Sequence, residues 1–227
     1  MIGLKFEIHT SNFEENLDKS SFSHPCEYVK ENAKQKAIEV WNRLSACTSD
    51  ANRCPDLVIG ADTVVTLNDE IMEKPRDEAN AFEMLKKLSG FKHTVFTGVA
   101  LVTKPNRTQA KQLLGNLSTK NNSTDQSESG LNGASTAALA KSLSSTDARD
   151  YVVTTFHEST DVSMAELNDD IIKGYIATGE PFDKAGAYAI QCNGATLVEQ
   201  IKGDYYNVVG IPLHRLCREL YILHCDL

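Results

Sequence analysis

The sequence predicts an α/β protein built from layers of β-sheet and helix. Short apolar runs typical of strands alternate along the chain with stretches of helical periodicity. The one long low-complexity segment falls between two strand-like runs, so the core can be continuous without it. With 227 residues, 41% of them hydrophobic, we expect a single domain over residues 1–227, interrupted by an insertion.

The first half of the chain contains five predicted elements. Alternating apolar and polar residues predict a strand at 4–8, and helical spacing after Pro25 predicts a helix over 27–44. The largely apolar run 56–65 is typical of a strand buried on both faces. A helix over 78–88, ended by Ser89 and Gly90, and a strand over 93–102 complete this half.

The segment 105–150 is dominated by Ser, Thr, Asn and Ala, which predicts a disordered surface insertion. Its glycosylation sequons carry no weight without a secretory signal. Beyond it we expect a strand over 151–160 and a helix over 163–178, opened by a capping box of Ser163 and Glu166. A strand over 196–201 and a closing helix over 212–223 follow.

Composition excludes several classes of protein. A formal net charge of -8 argues against a nonspecific nucleic-acid binder, which needs a basic surface. The six cysteines form no CxxC pair, which favours free thiols over zinc or a disulfide framework. No segment approaches the ~20 apolar residues of a membrane span, and the N-terminus does not resemble a signal peptide. We therefore expect a cytoplasmic protein with neither membrane nor nucleic acid as a partner.

Four residues are candidates for chemistry on local grounds. Asp62 interrupts an apolar run at a predicted strand end, where a carboxylate binds a metal, acts as a base or caps a turn. Lys74, before Pro75, and Lys184, in a Gly- and Pro-rich segment, suit phosphate oxygens or are solvated surface charges. Gln191, after an apolar pair, either forms hydrogen bonds with the edge of a nucleotide base or is a partly buried amide whose hydrogen bonds are made within the protein.

These residues belong to segments whose order and spacing resemble a known family. The segments are 60–65, 73–75, 88–90 with His93, 97–99, 179–181, 183–188, 190–191 and 203–210. With them the chain resembles the Maf-type nucleoside triphosphate pyrophosphatases, in particular the dTTP/UTP subgroup and the Maf-like domain of acetylserotonin O-methyltransferase-like proteins. The likeness covers nearly all of the chain except the insertion.

The resemblance implies an elongated mixed β-sheet flanked by helices, as in the inosine triphosphate pyrophosphatases, and often a homodimer. It also implies cleavage of a nucleoside triphosphate to the monophosphate and pyrophosphate, with Mg²⁺, Mn²⁺ or Co²⁺. The roles that it assigns are proton acceptor for Asp62, metal site for Glu15 and Asp62, phosphate binding for Lys36, Lys74 and Lys184, and dTTP/UTP specificity for Thr63 and Gln191.

One family motif, Ser-x-Ser-Pro-Arg-Arg with the strand before it, has no counterpart in this sequence. Arginine binds phosphate bidentately, whereas lysine binds it only as a point charge. We therefore expect the chain as it stands to be inactive or impaired. We also expect the lack of that strand to leave an unpaired sheet edge and to expose apolar surface. Two alternatives stay open: a non-catalytic nucleotide-binding or regulatory member of the family, and an enzyme acting on another modified nucleotide.

Overall fold

A computed structural model describes residue 3 and residues 5–46, 54–68, 70–105 and 151–225. In chain order its strands are β1 Leu57–Leu67, β2 Glu70–Met72, β3 Lys92–Thr103, β4 Val152–Met164 and β5 Val198–Lys202. Its α-helices are α1 Pro25–Ala46, α2 Glu78–Leu88, α3 Asp169–Ile176, α4 Tyr205–Val209 and α5 Leu213–Cys225. The predicted α/β class, a sheet flanked by helices, is confirmed.

The strands form one sheet in the order β2-β1-β3-β4-β5, and every strand pair in the described part is antiparallel. The mixed sheet that the resemblance implied is therefore not seen in these ranges. Strand β2 pairs only with the last three residues of β1, so the rest of that edge has no partner among the described strands. At the far end of the β3–β4 pair, Thr103 lies opposite Val152.

Two glycines let helix α1 rest directly on the sheet. A β-carbon on Gly60 of β1 would stand 2.4 Å from the carbonyl oxygen of Ala33. One on Gly98 of β3 would stand 2.4 Å from the carbonyl carbon of Val29. Only glycine permits such close approach of two backbones, so these positions fix the depth of α1 against β1 and β3.

The opposite face of the sheet carries the larger part of the core. Helices α2 and α3 bury Leu85, Leu88 and Ile172 against Val65 of β1 and Val95 of β3. Because side chains alternate along a strand, Asp62 faces α1 while Thr63 faces the other layer. Neighbouring residues of β1 therefore carry polar groups into both layers.

Three local predictions are wrong. Residues 5–8 have no regular structure, and Phe6 and Ile8 are 78% and 85% exposed because none of the strands in the described ranges pairs with them. The helix predicted from Ser163 starts at Asp169 instead. Strand β4 continues to Met164 because it pairs there with β5, and Asn168 caps the helix by accepting from the backbone N–H of Ile171.

The insertion and its sequons at Asn106, Asn116, Asn121 and Asn122 lie outside the described residues. Across the described ranges, no helix has the length and apolar character to span a bilayer.

Candidate active site

A cleft of about 350 Å³ opens at the free edge of β1. Strand β1 contributes Asp62 from one face and Thr63 from the other, so the cleft wraps around the strand edge. Six residues singled out from the sequence line it: Lys36, Asp62, Thr63, Lys74, Lys184 and Gln191. Glu15, the seventh, reaches this group through Lys36.

Asp62 does not lie at a strand end as predicted but in the middle of β1, which continues to Leu67. Its carboxylate is 9% exposed, and Oδ1 accepts a hydrogen bond of 2.7 Å from Nζ of Lys36 on α1. The same ammonium lies 2.8 Å from Oε2 of Glu15. One lysine thus joins two carboxylates that are far apart in the sequence.

Burial and charge oppose each other at this pair. Burial raises the pKa of the Asp62 carboxyl, although the neighbouring Lys36 ammonium partly offsets the effect. Burial by itself would lower the pKa of Lys36, but Asp62 and Glu15 outweigh it, so that pKa is raised. A carboxylate whose pKa lies above its ordinary range is better matched to accepting a proton near neutral pH.

The residues fit a divalent metal by the chemistry of their donors. Glu15 and Asp62 supply carboxylate oxygens that converge on one cationic point, now held by the Lys36 ammonium. Magnesium binds through one or two carboxylates together with water and substrate phosphates. Within the described ranges, no three His, Cys, Asp or Glu residues are grouped so that they could hold a metal ion by themselves.

Lys74 is positioned by its neighbour Glu73, whose role the sequence did not reveal. The Glu73 carboxylate accepts a 2.7 Å hydrogen bond from the Tyr28 hydroxyl and a 2.8 Å bond from Lys19. Its backbone carbonyl accepts from the N–H of Gly186 at 3.1 Å. Glu73 therefore ties the Lys74 segment both to α1 and to the loop that carries Lys184.

The segment from Gly179 to Tyr188 has the unusual backbone that its glycines predicted. Gly186 has φ +67, and a β-carbon there would lie 2.8 Å from Val65. Lys184 pairs with Asp183 at 2.7 Å and lines the cleft. Glu180 is structural: its carboxylate accepts from the N–H groups of residues 193 and 194, two and three residues after Gln191.

Three further polar residues beside the cleft were missed. Asn32 is fully buried, and its amide lies beside the Asp62 carboxylate and the Tyr28 hydroxyl without reaching good hydrogen-bond geometry. Thr97 and Asn207 form a buried chain with Thr63. Thr97 and Asn207 stand in segments that resemble the family, but only the fold shows that Thr97 forms hydrogen bonds with both Thr63 and Asn207, and that Asn32 lies beside Asp62.

Comparison with known proteins gives a consistent result. Residues 1–132 and 127–223 match the model of a family described as "Maf-like protein". A human "Probable bifunctional dTTP/UTP pyrophosphatase/methyltransferase protein" is 41% identical over 222 residues, which are 98% of this chain and 29% of the human protein.

Two bacterial relatives, each named "dTTP/UTP pyrophosphatase", are matched over most of their own length. One from Bacillus cereus is 36% identical over 226 residues, or 100% of this chain and 88% of the relative. One from Clostridium perfringens is 37% identical over 217 residues, or 95% and 85%. The chain thus spans under a third of the human relative but most of the bacterial ones.

Proposed function

The chain belongs to the Maf-like protein family, and we propose that it is a metal-dependent pyrophosphatase hydrolysing dTTP and UTP to the monophosphate and pyrophosphate. One observation carries the proposal. A buried carboxylate with a raised pKa, Asp62, shares a cleft with the cations Lys36, Lys74 and Lys184. The names of the relatives supply the choice of nucleotide.

The reaction is the attack of water on the α-phosphorus. A new P–O bond forms to the water oxygen, the bond from the α-phosphorus to the bridging oxygen breaks, and pyrophosphate leaves. We assign to Asp62 the acceptance of the water proton, a role that typically contributes about 10²–10⁴ in rate. Its burial against α1 keeps bulk water from competing for the carboxylate.

The three lysines bind the triphosphate as point charges. Lys74 and Lys184 approach from two loops that Glu73 holds together, so their spacing is fixed before substrate arrives. Lys36 changes partners: when phosphate oxygens enter, its ammonium can turn from the carboxylates toward them. Lys74 and Lys184, held in place in this way, lower the barrier by stabilising the charge that develops on the leaving pyrophosphate.

A divalent ion, when bound, neutralises phosphate charge and orients the attacking water. Glu15 and Asp62 are the residues that would hold it. The family resemblance implies Mg²⁺, Mn²⁺ or Co²⁺ as this ion.

The direct test is a panel of nucleoside triphosphates with each metal ion, followed by chromatography of the products. We expect dTTP and UTP to give monophosphate and pyrophosphate in equal amounts, at a low rate because the Ser-x-Ser-Pro-Arg-Arg motif has no counterpart in this sequence. Release of inorganic phosphate instead, or no turnover with any metal, would sink the proposal. In the same panel, Gln191→Ala should alter base preference more than metal dependence, which separates a dTTP/UTP enzyme from one acting on another modified nucleotide.

A second candidate is a non-catalytic nucleotide-binding or regulatory module. The lack of a counterpart to the Ser-x-Ser-Pro-Arg-Arg motif favours it, because the two arginines that bind phosphate in the family are missing from this sequence. Tight binding of dTTP or UTP without pyrophosphate release would decide for the module.

We further propose a cytoplasmic homodimer, as the family resemblance implies. Sedimentation of the purified chain tests the dimer, and fluorescence imaging of the tagged chain in its own cell tests the location.

A further inference from the structure

A chain of hydrogen bonds runs inward from the cleft on the face of the sheet opposite α1. Oγ1 of Thr63 lies 2.9 Å from Oγ1 of Thr97, its cross-strand partner on β3. Oγ1 of Thr97 lies 2.8 Å from the backbone carbonyl oxygen of Asn207. Thr97 and Asn207 are both fully buried, so no water competes for these groups.

The direction of each bond follows from counting protons. A carbonyl oxygen only accepts, so the single hydroxyl proton of Thr97 is donated to Asn207. Thr97 then has only lone pairs to offer to Thr63. The hydroxyl proton of Thr63 must therefore point inward, to Thr97, and its own lone pairs are what remains for the cleft.

Thr63 presents those lone pairs at the wall of the cleft. Thr63 and Gly210 both line it, and a β-carbon on Gly210 would stand 3.6 Å from Oγ1 of Thr63. The carbonyl of Asn207 also accepts from the N–H of Gly210 at 3.0 Å, which fixes this wall relative to the threonine pair. Thr97 itself does not line the cleft.

We propose that Thr97 is a positioning residue that makes Thr63 a hydrogen-bond acceptor only, so that this part of the cleft selects a base that donates. The inference rests on the proposed function. Thymine and uracil both carry an imide N3–H, which donates, whereas N3 of cytosine is a bare acceptor. The 2′-hydroxyl is excluded as the shared donor, because dTTP lacks it and UTP has it.

Cytosine is rejected because two acceptors would face each other. Discrimination by an unpaired polar group is stronger than discrimination by shape alone. The selection therefore depends on a residue that never touches the substrate: Thr97 sets which way the Thr63 proton points.

The test measures equilibrium binding of the α,β-imido analogues of UTP, CTP and N3-methyl-UTP, which resist cleavage at the bond in question. The unaltered chain should bind the UTP analogue about tenfold or more tightly than either of the others, as expected for one hydrogen bond. Equal affinity for all three would overturn the proposal.

Three substitutions then separate the roles. Thr97→Val frees the Thr63 proton, so affinity for the CTP analogue should rise by about tenfold while UTP binding is kept. Thr63→Val should weaken UTP binding and abolish the preference for UTP over CTP, because neither the hydrogen bond to N3–H nor the repulsion of the cytosine N3 remains. Thr97→Ser, which keeps the hydroxyl, should preserve the original preference. A merely structural role for Thr97 cannot produce tighter binding of CTP.

Several outcomes would contradict the inference. A folded Thr97→Val protein, judged by its thermal transition, with unchanged CTP binding overturns it. If Thr97→Val does not fold, the N3-methyl analogue with the unaltered chain and the Thr63→Val variant decide the matter. Failure of catalysis is distinguishable: a chain that prefers the UTP analogue but cleaves no UTP refutes the enzyme and retains the acceptor role of Thr63.

Discussion

The side-chain nitrogen of Lys36 lies 2.7 Å from Oδ1 of Asp62, so helix α1 and strand β1 are joined by an ion pair inside the cleft. The pair is largely withdrawn from water, with side-chain exposures of 19% and 9%. Removing one member would leave the other charged and buried, which makes the geometry of α1 on the sheet part of the site.

Asp62→Asn should lower kcat by about 10²–10⁴, because the amide cannot accept the proton of the attacking water. The matched control is Asp169→Asn, which removes a carboxylate from an exposed ion pair with Lys86. Steady-state kinetics on dTTP should show the control unchanged. An Asp62→Asn protein with ordinary kcat would rule out the assignment of the base.

Gly60→Ala should destabilise the protein by about 2 kcal/mol or more and reduce activity, because the new methyl group would collide with the backbone of α1 and displace Lys36. The control is Gly174→Ala in α3, where a β-carbon meets nothing within 4 Å. There the substitution should stabilise by about 0.5–1 kcal/mol through helix propensity. Urea denaturation of both variants measures the contrast, and equal effects would contradict the close packing of α1.

Stability should fall as pH drops from about 6.5 to about 4, because burial lowers the pKa of His93 from 6.5 to about 4. In that window the unfolded chain binds the proton and the folded chain does not, so acid favours unfolding. The full difference corresponds to about 3 kcal/mol. In this buried position, Nε2 of His93 lies 2.7 Å from the Tyr188 hydroxyl.

The measurement is the free energy of unfolding at pH 7 and at pH 4.5 for the unaltered chain and for His93→Gln. The variant should be less stable at pH 7 yet lose less on acidification. An identical pH dependence in both proteins would show that His93 is not the titrating group.

Glu73→Ala should cost about 1–3 kcal/mol of stability, because it leaves the buried Tyr28 hydroxyl without its acceptor. It should also raise KM, since Glu73 anchors the segment of Lys74. Glu70→Ala, which removes an exposed ion pair with Lys87, should change stability by less than about 1 kcal/mol. Comparable effects of the two substitutions on both quantities would refute a positioning role for Glu73.

The sequence predicted several residues that line the cleft, because most of them stand in short, specific segments. Asp62, Lys74, Lys184 and Gln191 stand out on local grounds, whereas Lys36 was assigned only through the family resemblance. The bond between Lys36 and Asp62 could not be predicted, since it depends on the depth at which α1 sits over Gly60.

The bounds of a helix could be predicted where they follow from the periodicity of its own side chains. The bounds of a strand could not be predicted where they depend on pairing with a strand distant in sequence. Helix α2 was predicted with its observed bounds, Glu78–Leu88. Strand β4 runs beyond its predicted end because β5, distant in sequence, pairs with it at Val162 and Met164. Conversely, apolar and polar residues alternate around Phe6, but this segment forms no strand because no strand in the described ranges pairs with it.

Thr103 at the end of β3 faces Val152 at the start of β4, so the residues numbered between them connect two points that the sheet already holds together. The entropy of closing such a connection grows only with the logarithm of its length, about 0.6 kcal/mol for each doubling. Evolution can therefore lengthen or shorten this connection at small thermodynamic cost, and an engineer can graft a reporter or a binding module there while the cleft keeps its shape.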